Sequence, residues 1–201
     1  MNLPNKLSLI RIILVPIMVA TFYMSFLPYN YLITAVIFAV AAITDFLDGY
    51  IARKYNLVTD LGKFLDPIAD KILVIGALII ILTNPCILEG SWGFTFYQLA
   101  GGIGVTIIVA RELIVSVLRM LAASKNKVLA AEKVGKIKTL VTDFAIVILL
   151  LSAEFAFLFI PGIALYLISV ILTAYSGGYY VVRNREVFRW YITQPLNFTA
   201  F

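Results

Sequence analysis

The chain has 201 residues, of which 62% are hydrophobic and only 13% are charged, and its mean hydropathy is +1.00. This composition excludes an ordinary soluble domain and is typical of a protein with several membrane spans. The single cysteine, Cys86, excludes an internal disulfide and a cysteine metal site. Because the chain has no histidine, any metal must be held by oxygen ligands.

The first half of the chain predicts three spans. MNLPNKLSLIR lacks a signal-peptide cleavage site and predicts a short interfacial helix before a first span that ends near Phe26. A second span is expected over 31–53 and, after a polar loop, a third over 64–82. Pro67 leaves two alternatives open: Asp66 is the N-cap with Pro67 in the first turn, or Pro67 kinks a helix that begins earlier.

The second half predicts three more spans. The fourth covers 99–121 and is interrupted by three charged residues, namely Arg111, Glu112 and Arg119. A basic segment precedes the fifth span, over 140–158, and Pro161 with Gly162 is expected to form the next turn. The sixth span continues to about Val182. We see no domain boundary, so residues 1–201 are predicted to form one all-α domain with six transmembrane helices.

The placement of charge predicts the orientation of this bundle. The 16 Lys and Arg residues exceed the 11 Asp and Glu residues, for a net charge of +5. If both termini are cytoplasmic, every Lys and Arg falls on the cytoplasmic side. The three loops on the opposite side then carry only Glu89 and Glu154 as charged residues, as the positive-inside rule requires.

Four aspartates cluster at the facing ends of the second and third spans. Asp45 and Asp48 are three residues apart, and Asp66 and Asp70 are four apart, so each pair lies on one helix face. Asp45 and Asp70 each lie about 12 Å inward from the connecting loop. Four unpaired anions at that depth would repel one another, and bound Mg²⁺ or Mn²⁺ would relieve the repulsion.

Residues around the aspartates suit a diphosphate ligand. Two metal ions a few ångström apart are a common device for phosphoryl transfer. The forked guanidinium of Arg53 suits a phosphate group. The small residues Gly49, Ala52 and Gly62 allow a flat ring or a sugar to approach the backbone. The pattern therefore predicts a metal-bound diphosphate at the lipid surface.

The pattern resembles a known family. D45-x2-D48-G49-x2-A52-R53-x8-G62-x3-D66-x3-D70 matches the full signature of the CDP-alcohol phosphotransferases. The resemblance implies six spans, a cytoplasmic active site, two divalent ions and a homodimer in a bacterial plasma membrane. It also implies that Asp45, Asp48 and Asp66 bind the metals, and that Asp70 is the catalytic base and touches a metal. The residues that it implies for nucleotide and diphosphate binding are Asn5, Asp48, Gly49, Ala52, Arg53, Thr59 and Gly62.

Three further stretches resemble the members of this family that use sn-glycerol 3-phosphate as the acceptor. They are NLPNKLSLIRI at the start, VAREL…SVLRML in the fourth span and AAEKVGKIKT before the fifth. The resemblance implies transfer of a phosphatidyl group from CDP-diacylglycerol to glycerol 3-phosphate, which yields phosphatidylglycerophosphate and CMP.

An acceptor that carries a phosphate needs a cationic pocket of its own. Arg111 and Arg119 are eight residues apart and share a helix face, and Lys136 and Lys138 begin the next span. We predict that Arg111, Arg119 and Lys136 bind the acceptor phosphate, with Lys138 as a further candidate. Two simpler interpretations remain open: Arg111 pairs with Glu112 or Asp143, and Arg119 is an interfacial anchor.

Other functions fit the composition less well. A cation transporter would also carry carboxylates in its spans, but its polar positions should continue across the bilayer, whereas these aspartates lie at one end. Within the family, inositol phosphate and phosphatidylglycerol are alternative acceptors. The cationic pocket favours a phosphorylated acceptor without choosing between glycerol phosphate and inositol phosphate.

Overall fold

The computed structural model describes residues 3–54, 60–83, 94–123 and 133–185, without the side chains of 3–5, 46–54, 60–61, 63–65, 94–98, 121, 123 and 133–134. This part of the chain is helical and contains six long helices. They are α1 (Leu3–Tyr23), α2 (Asn30–Lys54), α3 (Asp60–Thr83), α4 (Phe94–Ala123), α5 (Lys133–Ser152) and α6 (Phe159–Arg183). A short 3₁₀ helix, Ala156–Leu158, connects α5 to α6.

The N-terminal segment differs from the prediction. α1 is one continuous helix of 21 residues, so the short interfacial helix expected before the first span does not form a separate element. No glycine or proline lies between Pro4 and Pro16, so nothing in that stretch ends a helix. Pro16 itself lies inside α1, as prolines in apolar helices commonly do when neighbouring helices pack around them.

The structure decides between the two alternatives for Pro67 and corrects the prediction for Pro161. α3 begins at Asp60, so Pro67 lies inside the helix and Asp66 is not its N-cap. The predicted turn at Pro161 and Gly162 is wrong, because α5 ends at Ser152 and α6 has already begun at Phe159. Pro161 occupies the first turn of α6, where backbone N–H groups have no partner within the helix and a missing N–H therefore costs little.

Contacts between helices join α1 to α3, in the first half of the chain, to α4 to α6 in the second half. α1 packs along both α2 and α3, whereas α2 and α3 touch each other less; α5 packs against α2 and α6, and α4 against α6 and α3. Gly162 allows the close approach of α6 to α5, since a Cβ there would lie 2.9 Å from a methyl carbon of Leu149. The shared core contains Met18, Phe22, Phe38, Leu73, Ala77, Ile108, Ile146 and Leu149.

The surface of the described part suits a lipid environment. Large apolar side chains are exposed along most of the helices, among them Ile13, Val40, Ile79, Ile103, Phe144 and Ile171. Three helical segments are long and apolar enough to cross a membrane, namely Lys6–Tyr23, Leu99–Met120 and Ala156–Arg183, and α2 adds a shorter apolar run, Asn30–Asp45. The described part of the chain is therefore all-helical and consistent with a membrane protein, while the count of six spans and the orientation of the termini stay predictions.

Candidate active site

Two side chains of α1 contact the aspartates of the neighbouring helices. The guanidinium of Arg11 is fully buried, with Nη1 2.7 Å from Oδ1 of Asp45 on α2. Its Nε donates a hydrogen bond of 3.3 Å to the carbonyl oxygen of Ala41, one turn earlier on α2. The hydroxyl of Ser8, also fully buried, donates a hydrogen bond to Asp66 on α3. α1 thus joins the two helices that carry the signature.

Three of the four predicted aspartates lie within electrostatic reach of one another. Asp45 on α2 repels both Asp66 and Asp70 on α3. The buried cation of Arg11 attracts Asp45 and Asp70, which offsets part of this repulsion. The structure therefore brings the ends of α2 and α3 together at one acidic cluster, and α1 supplies a cation to it.

The donors of this cluster fit a hard divalent cation by their chemistry. They are carboxylate oxygens, which Mg²⁺ and Mn²⁺ prefer, and they repel one another without a counter-ion. Among the described side chains, no three acidic groups lie close enough together to form a complete metal site. The side chain of Asp48, the fourth member of the signature, is outside the described set. The chemistry of the described carboxylates is therefore compatible with a divalent metal, and the part of Asp48 in binding it stays a prediction.

The remaining signature residues fall mostly outside the described side chains. Gly49, Ala52 and Arg53 belong to the last turns of α2, and Asn5 belongs to the first turns of α1. Gly62 is buried in α3. Thr59 lies outside the described residues, so its predicted contact with the nucleotide stays a prediction.

A small cavity opens beside Asp70, between α3, α4 and α5. Its volume is about 30 Å³, which is enough for a water molecule but too small for a substrate. Its polar lining consists of Asp70, Lys71, Glu112, Lys138, Thr139, Thr142 and Asp143. The cavity therefore borders the predicted base Asp70 and, of the residues predicted for the acceptor pocket, Lys138.

Glu112 organises the cations nearest to this cavity. Its Oε1 lies 3.1 Å from Nη1 of Arg111 and accepts a hydrogen bond from Nζ of Lys138. Of the two partners considered for Arg111, the structure thus shows Glu112. Lys138 is almost fully buried, and its ammonium also interacts with Asp70 and Asp143. Lys138 and Arg111 are therefore held in place by protein carboxylates.

Both arginines of α4 also contact α6. Gly177 leaves room for the stem of Arg111, because a Cβ there would lie 2.6 Å from its Cγ. Nε of Arg119 donates a hydrogen bond of 3.4 Å to the hydroxyl of Tyr180, and its guanidinium lies 5.6 Å from the ring centroid. Arg119 remains exposed, as does Lys136 at the start of α5. Both lie at the surface of the described part of the chain.

Sequence reasoning missed the roles of Ser8 and Arg11, and it named Glu112 only as one of two alternative partners of Arg111. A serine and an arginine three residues apart share a helix face, and in an apolar helix both are signals of a polar partner. That signal was present, but the partners lie 58 and 34 residues away along the chain. Only the packing of α1 between α2 and α3 identifies them.

Comparison with known proteins identifies the family of the chain. The profile of the CDP-alcohol phosphatidyltransferase family matches residues 1–175. The chain therefore belongs to the CDP-alcohol phosphatidyltransferase family, whose members generally depend on a divalent metal. The match covers all four aspartates of the signature and the cations of α4 and α5.

Particular relatives are similar over most of the chain. It is 38% identical to a CDP-diacylglycerol–glycerol-3-phosphate 3-phosphatidyltransferase of Bacillus subtilis, over 94% of this chain and 97% of the relative. It is 38% identical to the protein of the same name from Rickettsia bellii, over 93% and 97%. It is also 39% identical to a CMP-forming cardiolipin synthase of Oryza sativa subsp. japonica, over 94% of this chain but 58% of the relative.

Proposed function

We propose that this protein transfers the phosphatidyl group of CDP-diacylglycerol to sn-glycerol 3-phosphate, which yields phosphatidylglycerophosphate and CMP. The observation that carries the proposal is the full aspartate signature on α2 and α3, in a chain similar over nearly its whole length to enzymes named for this reaction. The acidic cluster at the meeting ends of α1, α2 and α3 supports it.

The metal-binding residues would be Asp45, Asp48, Asp66 and Asp70. Two Mg²⁺ or Mn²⁺ ions would neutralise the diphosphate of the donor and the charge that develops on the transferred phosphoryl group. The carboxylate cluster and the absence of histidine and of a second cysteine support an ion with oxygen ligands.

The donor would lie with its acyl chains in the bilayer and its diphosphate against the ends of α2 and α3. Arg53 binds a phosphate oxygen, and Asn5 and Thr59 contact the nucleotide. Gly49, Ala52 and Gly62 present backbone without bulky side chains, so the cytidine and ribose can approach closely.

Asp70 acts on the acceptor. The hydroxyl of glycerol 3-phosphate loses its proton to Asp70, and its oxygen forms a bond to the phosphorus that carries diacylglycerol. The bond between that phosphorus and the oxygen of CMP breaks, so CMP leaves with the electron pair. Lys138 borders the same cavity as Asp70 and attracts its carboxylate.

The acceptor phosphate would lie between α4 and α5. Arg119 and Lys136 are exposed and contact it directly, while Arg111, held by Glu112, extends the same positive surface toward Asp70. This assignment of Arg111, Arg119, Lys136 and Lys138 puts the acceptor hydroxyl near the base and its phosphate at the cytoplasmic surface.

The membrane arrangement follows from the same proposal. α1 to α6 would each cross the bilayer, with both termini and the active site at the cytoplasmic face, since Lys and Arg then lie on that side. The carboxylates would meet a lipid-held donor and a water-soluble acceptor at one depth. As in its family, the protein would work as a homodimer.

One comparison favours a second candidate. The similarity to a cardiolipin synthase is as high as the similarity to the glycerol-phosphate enzymes, so phosphatidylglycerol is an alternative acceptor. Phosphatidylglycerol is itself a lipid and approaches from the bilayer. The exposed cations Arg119 and Lys136 favour the soluble, phosphorylated acceptor instead.

Release of CMP by the purified protein tests the proposal. The protein in lipid nanodiscs receives Mg²⁺ or Mn²⁺, CDP-diacylglycerol and one acceptor at a time: glycerol 3-phosphate, phosphatidylglycerol or inositol phosphate. We expect CMP release with glycerol 3-phosphate, and release at least about 100-fold slower with Asp70→Asn. Release with another acceptor only would replace the substrate assignment. Uptake of Mn²⁺ into proteoliposomes with no CMP release would support a cation transporter.

A further inference from the structure

Ser8 and Arg11 are the polar residues of α1 that meet the acidic cluster. Both side chains are fully buried, and both belong to one face of the helix. A fully buried serine or arginine in an apolar helix is costly to retain without hydrogen-bonding partners. Ser8 donates a hydrogen bond to Asp66 on α3, and Arg11 forms an ion pair with Asp45 on α2, so the two residues meet carboxylates on two different helices.

The two contacts fix carboxylates without occupying them. Ser8 donates to one oxygen of Asp66, and Arg11 approaches one oxygen of Asp45, so each carboxylate keeps lone pairs for another ligand. Arg11 is itself anchored, because its Nε donates to the carbonyl oxygen of Ala41 on the same helix as Asp45. Its fork therefore fixes the position of Asp45 relative to the backbone of α2, which a lysine cannot do.

We propose that Ser8 and Arg11 are positioning residues that orient Asp66 and Asp45 for divalent cations, which makes α1 the template that aligns the metal-binding ends of α2 and α3. The inference rests on the proposed function for its assignment of these aspartates to a metal. Residues that hold metal ligands from behind set the orientation of those ligands, and their loss commonly weakens metal binding about 10-fold or more.

Titration of Mn²⁺ into the purified protein, followed by electron paramagnetic resonance, tests the proposal directly. Ser8→Ala removes one hydrogen bond to a carboxylate, and Arg11→Lys keeps the positive charge but loses the planar guanidinium. We expect each variant to bind Mn²⁺ about 10-fold more weakly than the unmodified protein. In the CMP-release assay, each should need correspondingly more Mn²⁺ for half-maximal rate and regain the unmodified kcat at saturating Mn²⁺. Loss of folding alone would not be reversed in this way.

Matched controls come from the same fold. Ser152→Ala removes a buried hydroxyl that donates to the carbonyl oxygen of Leu149, and Arg183→Lys changes an exposed arginine near the end of α6. Neither should alter Mn²⁺ binding. Should Arg11→Lys fail to fold, Ser8→Ala still decides the question, because its loss is one hydrogen bond.

Unchanged Mn²⁺ affinity in folded Ser8→Ala and Arg11→Lys would overturn the inference, as would an unmodified protein that binds no Mn²⁺. Failure of the proposed function would give a different set of results. In that case the unmodified protein binds Mn²⁺, the two variants bind it more weakly, and no acceptor gives CMP.

Discussion

The acidic cluster of α1, α2 and α3 and the cationic region of α4, α5 and α6 use buried charge in different ways. In the acidic cluster, like charges are gathered and one buried cation, Arg11, offsets part of their repulsion. In the cationic region, Glu112 already pairs with Arg111 and Lys138. Gathered like charge needs a ligand, whereas paired charge is satisfied within the protein. The acidic cluster is therefore the stronger candidate for a ligand site, and Glu112 holds part of the cationic region in place.

A comparison of Asp70 and Asp143 gives the largest expected difference between a catalytic carboxylate and a structural one. Both line the same small cavity, but only Asp70 belongs to the signature. If Asp70 is the base, Asp70→Asn should lower kcat for CMP release by about 10²- to 10⁴-fold. Asp143→Asn is the matched control and should lower it far less. An equal loss in both variants would show that the cavity as a whole, rather than Asp70, carries the function.

A comparison of Lys138 and Lys136 tests which lysine stabilises the fold and which binds the acceptor phosphate. Lys138 is buried against Glu112, whereas Lys136 is exposed. Lys138→Met should lower stability by about 2 kcal/mol, less than the loss of an isolated buried pair, because Glu112 retains Arg111. That corresponds to a thermal midpoint roughly 4–8 °C lower. Lys136→Met should leave the midpoint unchanged and raise the KM for glycerol 3-phosphate. The opposite pattern would make Lys138 the ligand-binding residue.

Gly177 and Gly178 test whether the placement of Arg111 depends on α6. A Cβ at Gly177 would collide with the stem of Arg111, whereas a Cβ at Gly178 meets nothing within 4 Å. Gly177→Ala should cost about 1–2 kcal/mol of stability and raise the KM for glycerol 3-phosphate. Gly178→Ala should be neutral or slightly stabilising, since alanine favours a helix more than glycine does. Equal thermal midpoints of the two variants would show that the close contact between Gly177 and Arg111 does not restrict the side chain at position 177.

The aspartates could be predicted from sequence because their spacing is local. Residues three or four apart on a helix share a face whatever the tertiary structure, and a single polar loop joins the second and third spans, so all four aspartates were expected to meet. The all-helical class follows similarly from the apolar composition. The turn at Pro161 failed for a local reason, since a proline is equally at home in a turn and in the first turn of a helix.

Contacts between distant helices were beyond sequence reasoning. Arg11 meets Asp45, and Lys138 meets Glu112, only because α1 packs against α2 and α5 comes near α4. Charge and burial predict that each of these side chains needs a partner, but no spacing rule says which one. The cations of α4 and α5 were therefore predicted as one phosphate-binding set, although the structure holds Arg111 and Lys138 with a carboxylate and leaves Arg119 and Lys136 accessible.

Arg119 and Arg183 give the smallest but most specific test of the cationic region. Each guanidinium lies over a tyrosine of α6, 5.6 Å from the ring of Tyr180 and 6.0 Å from the ring of Tyr179 respectively. Arg119→Ala should raise the KM for glycerol 3-phosphate about 10-fold, the worth of one charge-assisted hydrogen bond, with kcat nearly unchanged. Arg183→Ala loses a similar tyrosine contact outside the proposed pocket and should leave both constants unchanged. An unchanged KM in Arg119→Ala would mean that Arg119 is an interfacial anchor, and the acceptor phosphate would then have to be bound by Lys136 and Arg111.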